Sequence, residues 1–218
     1  MAFISSCAGS YSGTTLANYV AGLRAWHILH GQAWPLGEDQ VKATLAGAAR
    51  LTPKSSKQPK REPLTLSKLK QIVERLDKNN PLDAAVVGCV TTIFHSVSRT
   101  AEFTQKMLTS FDPSSHVKPS DVKKRTDHNG LEVTSFSLPK TKCSDEPEDA
   151  YWSRQSGAAD PEKNFDNHII VNNPPPNGPL FAYKHGNGHK ALTCKVFLDP
   201  LNDIAVMLGL ESLKGHGL

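Results

Sequence analysis

Cysteine is sparse and badly placed for a metal. The four thiols fall at Cys7, Cys89, Cys143 and Cys194, and no pair has the short spacing of a structural zinc site. No run is long and apolar enough to span a membrane, and no secretory leader is recognisable. A disulfide-stapled secreted protein and an integral membrane protein are therefore not expected. An intracellular location is the default, nuclear if the source is a eukaryote. No internal repeat is visible, and no cofactor or metal signature is found. His185 and His189 flank a glycine-rich turn with no third ligand nearby, so a turn is expected there and not a metal centre. Neither sign of charge dominates: 25 basic side chains face 21 acidic ones, for a formal net charge of +4. That balance permits a nucleic-acid partner without demanding one.

What is present suits a soluble globular chain of one or two domains, with 38% apolar and 21% charged residues in 218. Leu16, Tyr19, Val20, Leu23, Trp26 and His27 recur at helical spacing after Ser12, and a second helix is expected from Glu38 to Arg50. Three prolines then break the pattern across residues 52–63, a linker that carries Lys54, Lys57, Lys60 and Arg61. Alone it is a solvated hinge; against DNA it becomes a strap that neutralises phosphates and releases counterions.

A second domain is expected to open at Thr65, which caps a helix with Leu69, Ile72, Val73 and Leu76 inward. Asn80-Pro81 starts an almost wholly apolar, central helix reaching about Val97, with Cys89 a buried thiol within it. A short helix is expected from Arg99 to Leu108. Strands follow from about Val117 to Lys124, over Leu131–Leu138 after the Asn129-Gly130 turn, and over Asp149–Arg154. Helices return at Asp160-Pro161 and from Thr193 to Leu208, the latter interrupted by Pro200. Trp26, Trp34 and Trp152 are taken as packing residues. The expected fold is mainly α with a small antiparallel β-sheet.

That order, with four local matches, resembles the tyrosine recombinases, the DNA breaking-and-rejoining family that includes the phage integrases. The stretch from Ser10 through Asn18-Tyr19-Val20-Ala21-Gly22-Leu23-Arg24-Ala25-Trp26-His27 is similar to the end of the core-binding domain in recombinase-like proteins of fungal mobile elements. Ser98-Arg99-Thr100-Ala101-Glu102 resembles the first catalytic box. Thr141-Lys142 stands where the family places its lysine, between the second and third strands, and Gly215-His216-Gly217 resembles the start of the second box. The resemblance implies a partial helical core-binding domain at 1–51, the basic linker at 52–63, and a recombinase-like catalytic domain at 64–218 that lacks its C-terminal part.

It also implies roles. Arg99 would clamp a scissile phosphate through its planar guanidinium, held by Glu102. Lys142 would protonate the departing oxygen, and His216 would assist proton transfer. Lys54, Lys57, Lys60, Arg61, Lys123, Lys124 and Arg125 would meet the backbone of double-stranded DNA on one broad face with Arg99. The full-length family works as a homo-oligomer on DNA. The expected departure lies at the chain's end: the second-box arginine would fall at position 219, and Tyr11, Tyr19, Tyr151 and Tyr183 all precede that box. The chain is accordingly expected to be clipped at both ends and incomplete as a strand-cleaving enzyme. Two other readings stay open: a fragment of an active recombinase, and a basic helical protein with no DNA role.

Overall fold

Five helices begin where a side chain can stop the first turn's N–H groups from going unpaired. A computed structural model describes residues 1–56, 62–142, 144 and 146–213. In it Ser12, Thr65, Asn80, Asp160 and Thr193 each accept a backbone hydrogen bond at the start of a helix. Asn80 and Asp160 are followed by proline at the first helical position, where the missing N–H costs nothing. The described residues form eight α-helices and five strands, so the chain is mainly helical with a small antiparallel sheet. No helix among them is long and apolar enough to cross a membrane. The chain divides into two compact units, Met1–Arg61 and Glu62–Leu218.

The first unit holds α1 (Ala2–Cys7), α2 (Gly13–Leu29) and α3 (Glu38–Arg50). Its core is small: Ile4, Leu16, Val20 and Ala48, flanked by Trp34, Val41 and Leu45. Gly13 is required here, because a Cβ on it would lie 2.6 Å from the Ala49 methyl group. The expectation that Tyr19, Leu23 and Trp26 pack inward with Leu16 and Val20 is corrected. They are 43–53% exposed, because α1 and α3 cover only the Leu16–Val20 edge of α2. Tyr19 instead stacks at the surface against Phe3 and Tyr11.

The second unit is built around α5 (Pro81–Ser96), which lies against α7 (Pro161–Asn172). The two helices approach closely at Gly88, where a Cβ would sit 3.0 Å from that of His168 and 3.3 Å from the Asn164 carbonyl. A polar pin then ties four elements together. Asn172 donates to Pro81 O at 2.8 Å and to His168 Nδ1 at 3.0 Å, accepts from Lys184 N–H, and its carbonyl receives His189 Nε2–H at 2.7 Å. His168 is wholly buried and donates its single ring N–H, at Nε2, to Leu180 O at 3.0 Å. Around it, Phe136, Trp152, Phe165 and Phe181 form a lattice of edge-on and tilted rings.

The sheet orders β1 (Val122–Thr126), β2 (Glu132–Leu138) and β3 (Glu148–Ser153), all antiparallel. Phe136, Leu138 and Trp152 face the core, and α4 (Leu66–Val73) and α8 (Cys194–Met207) close the other side of the unit. Pro200 sits inside α8 without ending it. Two expectations shift. The helix predicted from Arg99 to Leu108 is only α6, Thr100–Phe103. Gln105 leaves it to pair with the chain at Thr193, exchanging bonds with Leu192 O and Cys194 N–H. The first strand begins at Val122, because Pro119–Asp121 form a 3₁₀ turn whose Asp121 carboxylate accepts Lys118 N–H. A hairpin of β4 (Tyr183–His185) and β5 (Gly188–Lys190) occupies the histidine–glycine turn.

Candidate nucleic-acid interface

The route from α5 to Arg99 is strained. Val97 is left-handed, φ 53° and ψ 34°, at the end of α5, and Ser98 N–H returns to Ile93 O in a Schellman-type closure. Glycine is the usual residue in such a place, and a β-branched one is costly. Nothing packs on Val97, which is 91% exposed, so the side chain offers no compensation. Val97→Gly is therefore expected to raise the melting temperature by about 2–4 °C, or ~1 kcal/mol. An unchanged or lower value by calorimetry would show that the left-handed turn is not strained.

Arg99 follows as the N-cap of α6. Its own N–H donates to Glu102 Oε2 at 2.7 Å, and its guanidinium donates to Glu102 Oε1 at 3.2 Å. The arginine side chain is 50% exposed while the glutamate is only 10% exposed. Glu102 thus fixes both the main chain and the head group of Arg99.

Lys142 is exposed on the turn between β2 and β3. The preceding residue anchors that turn: Thr141 Oγ1 donates to Glu148 Oε2 at 2.7 Å and receives Ser144 N–H at 3.2 Å. His216 lies outside the described residues, as do Lys57, Lys60 and Arg61. Lys54 belongs to the first unit, exposed on a 3₁₀ turn from Lys54 to Ser56.

The basic run on β1 does not act as one patch. Successive strand residues alternate faces, so Lys123 and Arg125 project outward while Lys124 turns to the helical side. There Glu162 of α7 binds Lys124 at 3.1 Å and Arg154 at 3.6 Å, and this contact raises the lysine pKa. Phe103 of α6 packs edge-on against Phe136, on the core side of the sheet and thus opposite Lys123 and Arg125. The expectation of one common face is corrected for Lys124, which projects from the sheet face opposite to Lys123 and Arg125.

Two side chains of the outer sheet face were not singled out from the sequence. Asp149 binds Arg125 at 2.9 Å, and Tyr151, beside them, is 63% exposed. The signal was available in the alternation of β2 and β3, where the residues cross-strand from Tyr151 are too small to cover it. Several other reactive groups are engaged structurally. Burial pushes the Cys89 thiol well up, which suppresses its reactivity, and burial also raises Tyr183. His189 spends its Nε2 hydrogen on the Asn172 carbonyl. The chain matches no known family model, and no curated protein sequence matches it.

Proposed function

We propose that the chain is a tyrosine-recombinase-like protein, of the kind carried by mobile elements, that binds double-stranded DNA chiefly through the phosphate backbone. The observation that carries this reading is the half-exposed Arg99 side chain, aligned from both backbone and head group by Glu102, itself only 10% exposed. A fork of N–H donors held in that way suits two oxygens of one phosphate. Lys142 on its anchored turn, Lys123 and Arg125 on the outer strand face, and the basic segment from Lys54 to Arg61 supply further phosphate contacts. His216 completes the expected set from outside the described residues. In this reading the protein works inside the cell, in the nucleus of a eukaryotic host, and assembles as a homo-oligomer on its DNA.

The role proposed for these residues is binding rather than strand cleavage. A nucleophilic tyrosine must be exposed and close to the phosphate clamp. Within the second unit, Tyr183 is buried with a raised pKa and Tyr151 lies on the outer sheet face. The test is affinity for a labelled duplex of arbitrary sequence at low salt. Arg99→Ala should weaken binding by about tenfold, the value of one charge-assisted contact. Arg99→Lys should recover part of that loss, since it keeps the charge without the fork. Equal affinities for all three proteins would refute the assignment of Arg99.

A further inference from the structure

The first 23 residues contain no Asp, Glu, Lys or Arg, and they build a face of α2 that neither α1 nor α3 covers. Tyr19, Leu23 and Trp26 stand there half-exposed, and His30 at the helix's end lies against Trp26 with ring centres 4.6 Å apart. Their spacing of four, three and four residues is that of alternating d and a positions in a heptad, the seam along which one helix packs on another. Phe3 and Tyr11 widen this stripe beside Tyr19, their ring centres 6.4 and 5.7 Å from its own. The first charged side chain, Arg24, turns instead to α3, where it pairs with Glu38 at 3.3 Å.

Apolar side chains scattered singly over a surface need no explanation, but a contiguous group of them marks a contact. Aromatic rings with charge excluded are the composition of an interface core. The missing charge also bears on what covers the stripe. It can form no salt bridge across an interface, and a charged docking face would lose solvation against it. The same stripe on a second copy of the chain is equally apolar and equally uncharged. The area agrees with that partner. A large aromatic side chain offers roughly 150–250 Å² in all. Five large side chains at 43–53% exposure therefore present roughly 450 Å² per copy. Two copies would bury roughly 900 Å² through these residues, the scale of a weak, reversible contact.

We infer that two copies of the chain pair through this stripe, α2 against α2 in the antiparallel sense, about a two-fold axis at Leu23. In such a contact, if residue i meets residue j then j meets i. Leu23 faces its own counterpart, and Tyr19 of each copy faces Trp26 of the other. The pairing gives the homo-oligomer proposed above a named contact, but it forms without DNA and so does not depend on the nucleic-acid reading.

The experiment measures the mass of the whole chain in solution by sedimentation equilibrium, with no DNA present. At about 200 µM, a concentration suited to a weak contact, the parent should weigh mostly twice its 23.7 kDa and dissociate on dilution. Leu23→Glu and Leu23→Lys each set like charges against one another on the axis, and each should weaken pairing by at least about tenfold. Leu23 is half-exposed and outside the unit's core, so both variants should keep the parent's helical content. Mixed in equal amounts, the two variants should pair again, because Glu meets Lys only if position 23 faces its own copy. A parent that stays monomeric, a dimer indifferent to Leu23→Glu, or a mixture that stays monomeric would overturn the inference. Its failure would leave the DNA-backbone reading standing, and a chain that dimerises without binding duplex would overturn that reading alone.

Discussion

Lowering the pH from 7 to 4 is expected to remove about 3 kcal/mol from the stability of the second unit. The cause is His168, held at a pKa of about 4 mainly because burial disfavours its charged form, with the nearby His189 adding to the effect. Leu180 O accepts its Nε2 hydrogen and Asn172 donates to Nδ1, a pattern that fits only the neutral ring. The unfolded chain takes up a proton near the ordinary value of 6.5, whereas the native chain does not until about 4. Above pH 6.5 neither state is protonated there, and the contribution of His168 is complete. Between 6.5 and 4 only the unfolded state gains the proton, so stability falls steadily with pH. Below 4 both are protonated and the loss levels off. His95, lowered by burial in the same direction, steepens the trend.

Urea unfolding should be followed at the buried Trp152, in a chain from which Trp26 and Trp34 have been replaced by Phe. The parent should lose stability across that window, and His168→Gln should lose clearly less while being weaker at pH 7, where its packing against Phe181 is gone. An unfolding midpoint that stays constant from pH 7 to 4 would show that His168 is not buried neutral.

Local chemistry made much of this fold legible. Glu38–Arg50 reads as a helix from its apolar spacing and acidic first turn, and Asn80-Pro81 and Asp160-Pro161 announce helix starts directly. The turn at Asn129-Gly130 is equally plain, with Gly130 left-handed at φ 81°. Tertiary pairing was not legible. Gln105 and Thr193 lie far apart in sequence, and their bridge ends α6 after one turn. The half-exposed stripe of Tyr19, Leu23 and Trp26 has the period of a core face, but period alone cannot say how many neighbours cover it. At the candidate interface, Arg99 and Glu102 were visible as a spaced pair. The separation of Lys124 from Lys123 and Arg125 follows from strand alternation once the register is known, as does the exposure of Tyr151. A basic triplet in a sequence looks like a patch, and in a strand it is divided between two faces.

The largest expected effect on binding comes from salt. Each phosphate neutralised by lysine or arginine releases condensed counterions, so the logarithm of the association constant falls linearly with the logarithm of salt, with a slope of about −0.9 per contact. The basic segment contributes four cations, Lys54, Lys57, Lys60 and Arg61, in a stretch with few apolar side chains to bury. Replacing all four with Ala should flatten the slope by about 3.6 if each meets a phosphate, and a set of six or more contacts in the parent would weaken binding by about 10³ or more between 50 and 200 mM salt. Lys68 is a suitable control, because it is committed to an ion pair with Glu62, and Lys68→Ala should leave the slope unchanged. The most direct test of the DNA-backbone account is therefore the association constant of the purified chain for a random-sequence duplex, measured across that salt range. The account predicts a steep linear loss that flattens when the four linker cations are removed; absence of binding at 50 mM, or binding indifferent to salt, would contradict it.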